Sequence, residues 1–408
     1  MSHILDISLL KRDREFGLLY LGQFISFLGT MISYVVVPYQ VYALSHSNLM
    51  VGILSLMQLL PLLVTALLGG VFADRYNRRN LLIYSELFLA VSSLLLAANA
   101  WRIQPGLSPI FIITFMMSAV NGLHRPALES MTQQIVPPAN YTKVAALISF
   151  KYGFCMIVGP AIGGLIIAHH GVIFTYFLDF LSFAISCGCL AAMHRIPKPV
   201  ITSHPSILQS VKDGLSFAVS KQELLGSYLA DIISMIFAMP NALFPAIAEQ
   251  LGGPKTLGLL YAAPAVGALL ISFVSGWTSR ITHDGRAIAL AAAFWGLTVL
   301  GFGLSLSYSL ALALFFLALS GVLDTISGIF RQSLWNRTIP HEFRSRLAGI
   351  EMISYISGPK LGDARAGLVA TGFGMTTALV SGGILCFVGV SICCLLLPKF
   401  WNYHNQAN

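Results

Sequence analysis

Apolar residues run through this chain in about twelve long stretches separated by short polar turns: roughly 15–44, 49–72, 80–101, 108–134, 143–168, 171–194, 222–250, 255–278, 286–305, 308–336, 346–371 and 374–398. Each meets or exceeds the roughly 20 residues an α-helix needs to cross the hydrocarbon core of a bilayer. Prolines and glycines fall inside several of them, which membrane helices tolerate and barrel strands at this spacing do not explain. The pattern predicts an all-α membrane protein.

The landmarks in these stretches recur. Gly70 and Gly276 each close an apolar stretch at a turn carrying arginine, 206 residues apart (276 − 70). Gly52 with Gly258 and Arg125 with Arg331 keep the same offset (258 − 52; 331 − 125), Pro38 with Pro245 keeps 207 (245 − 38), and Gly159 with Gly362 and Gly164 with Gly367 keep 203 (362 − 159; 367 − 164). A repeat of that length in an apolar chain implies two membrane-embedded halves, the arrangement by which transporters alternate their access. The expected halves are 1–194 and 222–408. The stretch 195–221, with Pro197, Lys198, Pro199, Ser203, Pro205 and Lys212, reads as the cytoplasmic linker joining them.

Composition agrees with burial in lipid: 56% of the 408 residues are hydrophobic and 10% charged, with a mean hydropathy of +0.78. The net charge of +8 raises the question of nucleic acid, but its placement answers it. With the N-terminus in the cytoplasm, the inner segments collect the basic residues, among them Lys11, Arg12, Arg14, Arg75, Arg78, Arg79, Lys143, Arg195, Arg286, Arg337 and Lys399, while the outer loops keep Arg102 and Lys255. That asymmetry follows the positive-inside rule and puts both termini in the cytoplasm. The charged opening through Glu15 and the length of the apolar run after it are unlike a cleavable signal.

Other chemistries find little support. The six cysteines (Cys155, Cys187, Cys189, Cys386, Cys393 and Cys394) all fall within apolar stretches with no histidine at ligand spacing, so they read as packing residues rather than a metal or redox site. A glycine-rich phosphate loop with its lysine is missing from the sequence, which argues against direct ATP coupling. No Ser/His/Asp or paired-carboxylate constellation is recognisable, so neither an enzyme nor a cofactor is expected.

The turn after the second stretch carries the most specific local signal: Gly70, Asp74, Arg75, Arg78 and Arg79 at fixed spacing. Gly70 permits close helix contact, Asp74 can accept hydrogen bonds at a helix N-terminus, and the arginines can pair with acids or carbonyls at neighbouring helix ends. This turn resembles the inner-gate motif of the major facilitator superfamily. Asn77 stands where that family usually has glycine, and in the second half Arg280 takes the position of Asp74 (280 − 74 = 206). The fifth stretch adds Gly159, Pro160, Gly163 and Gly164, similar to the glycine-proline motif of exporters and antiporters in the superfamily; ordinary tight packing is the alternative. Leu259-Leu260-Tyr261-Ala262-Ala263, Ser345-Arg346-Leu347-Ala348-Gly349 and Gly362-Asp363-Ala364 extend the resemblance to the branch that exports the siderophore enterobactin. The resemblance implies a twelve-helix fold of two six-helix bundles related by a pseudo-two-fold axis, with the first, fourth, seventh and tenth helices lining a central cavity.

Charges inside the stretches then become candidates, because each costs about 2.5–3.5 kcal/mol at mid-membrane on insertion scales. Arg125 and Arg331 are repeat equivalents able to clamp one anion with planar guanidinium groups, or else to reach the interface or pair with Glu129 and Asp324. Asp324 and Arg331, seven residues apart, share a helix face. In the eleventh stretch Lys360 and Asp363 share a face while Arg365 points about 160° away from Asp363; Arg365 departs from the branch pattern and is a third candidate for substrate contact. Tyr34 and Gln40, with Gln23 and Tyr39, are cavity candidates on the first stretch. Asp231, Asp324 and Asp363 are candidates for carrying a proton, with Asp179 and His124 behind them.

The sequence thus reads as a monomeric secondary transporter of a bacterial inner membrane, exporting a small anionic metal chelator in exchange for protons by rocker-switch alternation. A proton-coupled multidrug efflux pump and a siderophore importer are the competing readings.

Overall fold

The computed structural model describes residues 8–194, 207–340 and 343–404. They form helices and tight turns: α1 Arg14–Ser45, α2 Asn48–Arg75, α3 Arg78–Trp101, α4 Leu107–Ile135, α5 Tyr141–Ala191, α6 Ile207–Ser220, α7 Gln222–Phe237, α8 Phe244–Leu251, α9 Pro254–Phe273, α10 Asp284–Ser305, α11 Leu310–Thr338, α12 Arg344–Phe373 and α13 Met375–Leu396. Ten helical segments among the described residues are long and apolar enough to cross a membrane. α12, which carries Lys360, Asp363 and Arg365, is not one of them.

Local chemistry sets the boundaries. Asp13 starts α1 by accepting from the backbone N–H groups of Glu15 and Phe16, both at 3.1 Å. Asn77 does the same for α3, accepting from Arg79 N and Asn80 N. The fifth and sixth apolar stretches are two helices, both within the range given for α5, that meet at Gly171, whose backbone (φ 79°, ψ 179°) is non-helical and in a region residues with a Cβ rarely adopt. The seventh stretch is broken instead: α7 ends at Phe237 and helix resumes after Pro240 through a short 3₁₀ turn into α8. Within the expected linker, residues 207–220 form α6, and Phe217 stacks on Phe343 with ring centroids 4.4 Å apart.

Two compact units are present. The first comprises Met1–His46, Met57–Ser203 and Ala248–Ala262; the second comprises Ser47–Leu56, His204–Ile247 and Ala263–Asn408. In the first, α1 and α3 pack against α5, and α4 packs on α3. One apolar cluster gathers Leu19, Leu82, Ala127, Met131, Leu190 and Met193. In the second, α10 packs on α11 and α13, and α7 on α12 and α13.

Small residues set the close approaches, as expected where lipid removes the hydrophobic drive between helices. Gly164 is one: a Cβ there would come within 2.6 Å of both Gly258 N and Pro254 O. Gly163 faces Ile32 on α1, Gly159 faces Met31, and Pro160 is buried beside them, so the glycine-proline motif of α5 is spent on contacts with α1 and α9 inside the first unit.

Candidate functional site

In the first unit, α1, α4 and α5 enclose a cavity of about 480 Å³. Its walls include Tyr20 and Gln23 from α1, Arg125 and Glu129 from α4, and Lys151 and Tyr152 from α5. The size falls within the range of small-molecule sites. Lys151 is the unexpected member. It lies ten residues into α5 (151 − 141), roughly 15 Å along the axis, and is only 4% exposed. Its ammonium sits 4.8 Å from the Tyr152 ring centroid and 5.7 Å from that of Phe27. Among the described residues no carboxylate closes an ion pair with it.

Behind Gln23 is a second unexpected group. Glu86 on α3, 1% exposed, is the hub of a buried polar cluster. Gln23 Nε2 donates to Glu86 Oε1 at 2.7 Å and to Ser186 Oγ at 3.3 Å, Ser26 Oγ donates to the same oxygen at 3.4 Å, and His124 Nε2 lies 3.0 Å from it. Glu86 Oε2 is buried with no hydrogen-bond partner among the described residues. Arg125, by contrast, pairs with Glu129 one turn along the same helix at 3.3 Å, both side chains being half exposed. Deeper still, the fully buried Asp179 accepts from Ser33 at 2.6 Å and Ser93 at 2.8 Å.

The other residues expected on the first stretch are engaged elsewhere. Gln40 is buried and accepts from the Tyr176 hydroxyl at 2.7 Å. Tyr34 packs edge-on against Tyr261 with centroids 5.5 Å apart.

The second unit concentrates acids instead. Arg331 on α11 hydrogen-bonds Asp231 on α7 and lies over the Trp335 ring at 5.7 Å. Trp335 stacks on Tyr228 at 4.8 Å and donates to Ser227 Oγ at 2.9 Å. Asp324 on α11 and Glu351 on α12 lie within electrostatic reach of the same guanidinium. Asp324 is therefore a neighbour of Arg331, and Asp231 is the residue bonded to it.

Asp363 sits apart from this group, accepting from Ser55 Oγ at 2.8 Å and from the Ala242 backbone N–H at 3.0 Å, with Lys360 acting on it electrostatically. It thereby ties α2 and the break after α7 to α12. Arg365 donates to Phe237 O at 3.3 Å and Ser381 Oγ at 3.2 Å and lies over the Phe237 ring.

Of the inner-gate motif, Gly70 and the side chains of Asp74 and Arg75 lie outside what is described, as does the side chain of Arg280. Arg79 closes a helix end. Arg79 donates to Leu190 O at 2.7 Å and Ala191 O at 2.6 Å, capping the last carbonyls of α5, while Glu15 accepts from His194 N at 3.0 Å just beyond. Arg78 is buried at the start of α3.

Glu86 and Lys151 were absent from the sequence-derived candidates. The general rule that any intramembrane charge needs a reason marks both of them; attention to the helices expected to line the cavity passed over the third and fifth stretches.

Comparison with known proteins gives one consistent picture. The profile of a family described as transmembrane secretion effector matches residues 10–407. The chain is 27% identical over 401 residues to the enterobactin exporter EntS of Escherichia coli O1:K1 / APEC, covering 97% of this chain and 95% of that protein, and equally to EntS of Shigella boydii serotype 18. Among solved structures, a bacterial homologue of the human lysosomal transporter Spinster aligns with a TM-score of 0.74 at 11% identity over 100% of both chains. The POT family transporter PepTSo aligns at 0.73 and 10% identity, over 95% of this chain and 98% of that one. At such identities these structures speak for the fold alone.

Proposed function

We propose that this chain, which belongs to the transmembrane secretion effector family of the major facilitator superfamily and is a multi-pass membrane transporter rather than an enzyme, exports a small anionic metal chelator in exchange for protons. The observation that carries the reading is the cavity of about 480 Å³ in the first unit, whose lining joins two cations, Arg125 and Lys151, to aromatic rings. The chain's likeness to EntS, named for enterobactin export, supports this cargo class.

A proton-handling group is supported by the charge count in the second unit. Among the described residues, Asp231 bonds the guanidinium of Arg331, and Asp324 and Glu351 lie within its electrostatic reach. Three carboxylates about one fixed cation leave excess negative charge in a medium that disfavours it, and a bound proton relieves that excess. Asp324 and Asp231 are the proposed carriers; Asp363, held by Ser55 and Ala242 N, is given a structural part. Alternation is proposed to proceed by rocking of the halves 1–194 and 222–408 in a bacterial inner membrane, with both termini cytoplasmic and the protein acting as a monomer. The inner-gate motif Gly70, Asp74, Arg75, Arg78 and Arg79 would latch the cytoplasmic side.

The test is transport by purified protein in liposomes under an imposed pH gradient, comparing a catecholate or carboxylate siderophore with lipophilic cations. Siderophore accumulation that collapses with the gradient is the expected result. Movement of lipophilic cations alone removes the chelator reading and leaves a drug exporter, and siderophore accumulation in the same direction as proton flow identifies an importer.

A further inference from the structure

Two cations line the chamber, and their surroundings separate them. Arg125 already has a carboxylate, Glu129, at 3.3 Å, and both side chains are half exposed, so its charge is answered within its own helix. Lys151 is nearly fully buried, faces the cavity, and is held by the faces of Phe27 and Tyr152. A buried ammonium serving only to balance charge would be expected to lie against an acid, because a buried ion is tolerated when it is paired and hydrogen-bonded. The acid acting on it, Glu86, is held in place by its Oε1, which takes Gln23, Ser26 and His124, and no contact between its carboxylate and the Lys151 ammonium is formed among the described residues. The two opposite charges interact through space without meeting.

Resting on the export reading, we propose that Lys151 is the oxyanion anchor of the chamber and that Glu86, fixed behind Gln23, opposes the bound anion and sets how tightly it is held. Gln23 both lines the cavity and donates to Glu86, so the ligand and the carboxylate are separated by a single side chain. The charged and titratable groups around Glu86 are His124 from α4, Lys151 from α5 before Gly171, and Asp179 and Cys187 from α5 after it. A ligand carboxylate or phenolate against Lys151 completes the ion pair left open among the described residues. The long, compactly charged lysine suits a single oxyanion point contact better than a planar bidentate one. The neighbouring ring faces favour an anion carried on an aromatic group.

The experiment uses full-length protein in lipid nanodiscs and compares binding of salicylate with that of its neutral analogue salicylamide by calorimetry. Wild-type protein is expected to prefer salicylate at least tenfold. Lys151→Met abolishes that preference while salicylamide still binds, which also shows that the variant is folded, and Lys151→Arg keeps it to within threefold. Glu86→Gln tightens salicylate several-fold more than salicylamide. A preference that survives Lys151→Met, that is lost only in Arg125→Met, or that wild type never has overturns the assignment. Protein that shows the preference but moves no siderophore under a pH gradient upholds the anchor and removes the export reading.

Discussion

Arg125 and Arg331 occupy the same position in the two halves of a duplicated chain, yet they live in different electrostatic worlds. Arg125 has Glu129 four residues on and lines the cavity of the first unit. At the equivalent place the second half has Trp335 (335 − 129 = 206), so Arg331 lies over a ring and takes its carboxylate from α7. That carboxylate, Asp231, corresponds to Ile25 in the first half (231 − 25 = 206), and Asp324 corresponds to Ser118 (324 − 118 = 206). Conversely, Glu86 and His124 correspond to Ala292 and Phe330 (292 − 86; 330 − 124, both 206). Duplication conserved where the arginine stands and changed who answers it. On the proposed reading this is a division of labour: the first unit keeps a cation open to a ligand, and the second crowds acids around a closed one.

The largest effect that would break this contrast comes from removing the closed cation. Arg331 and Asp231 have side chains 12% and 6% exposed, and breaking such a pair from one side costs about 3–5 kcal/mol because the survivor is left buried and uncompensated. Arg331→Met is therefore expected to lower thermal stability in detergent by that amount, with Asp231→Asn added in the same chain recovering much of it. A single variant as stable as wild type would mean that the pair is solvated and that the two units are alike.

Asp324→Asn acts on coupling rather than stability. It removes one of three carboxylates around Arg331 without touching the bonded one, so the proposed carrier is lost while the Asp231–Arg331 contact stays. Gradient-driven accumulation should fall at least tenfold while substrate counterflow, which needs alternation but no proton movement, continues at a comparable rate. Unimpaired accumulation would take the proton role away from Asp324 and leave Asp231 or Glu351 to carry it.

How much of this was legible beforehand differs by length scale. The twelve stretches and the two-fold repeat were readable because a bilayer imposes long apolar runs, and duplication leaves landmarks at a constant offset. The short connection at His169, His170 and Gly171 was readable as well, and the backbone leaves the helical region there, at Gly171. Partners across helices were harder to read. Helical spacing correctly put Asp324 and Arg331 on one face of α11, but spacing says nothing about α7, which supplies the acid that Arg331 bonds. Arg365 looked unpaired for the same reason; its acceptors, Phe237 O and Ser381 Oγ, come from the end of α7 and from α13. Asn77, a departure from the family pattern, is explained locally as the cap of α3.

The smallest effect sharpens the comparison from the other side. Arg125 and Glu129 form an i, i+4 pair with side chains 47% and 63% exposed, and exposed pairs of this geometry contribute about 0.3–0.5 kcal/mol, since solvent screens the attraction and holding two long side chains costs entropy. Arg125→Ala and Glu129→Ala should each change stability by less than about 1 kcal/mol, with a coupling energy in the double-mutant cycle near the lower end. Introducing tryptophan by Glu129→Trp makes the first unit resemble the second at this position. Because α1 has Ile25 where α7 has Asp231, the arginine then gains a ring but no replacement acid, and stability should again barely move. If Glu129→Trp destabilised the protein as severely as Arg331→Met, the acids of the second unit could not be what distinguishes the two arginines.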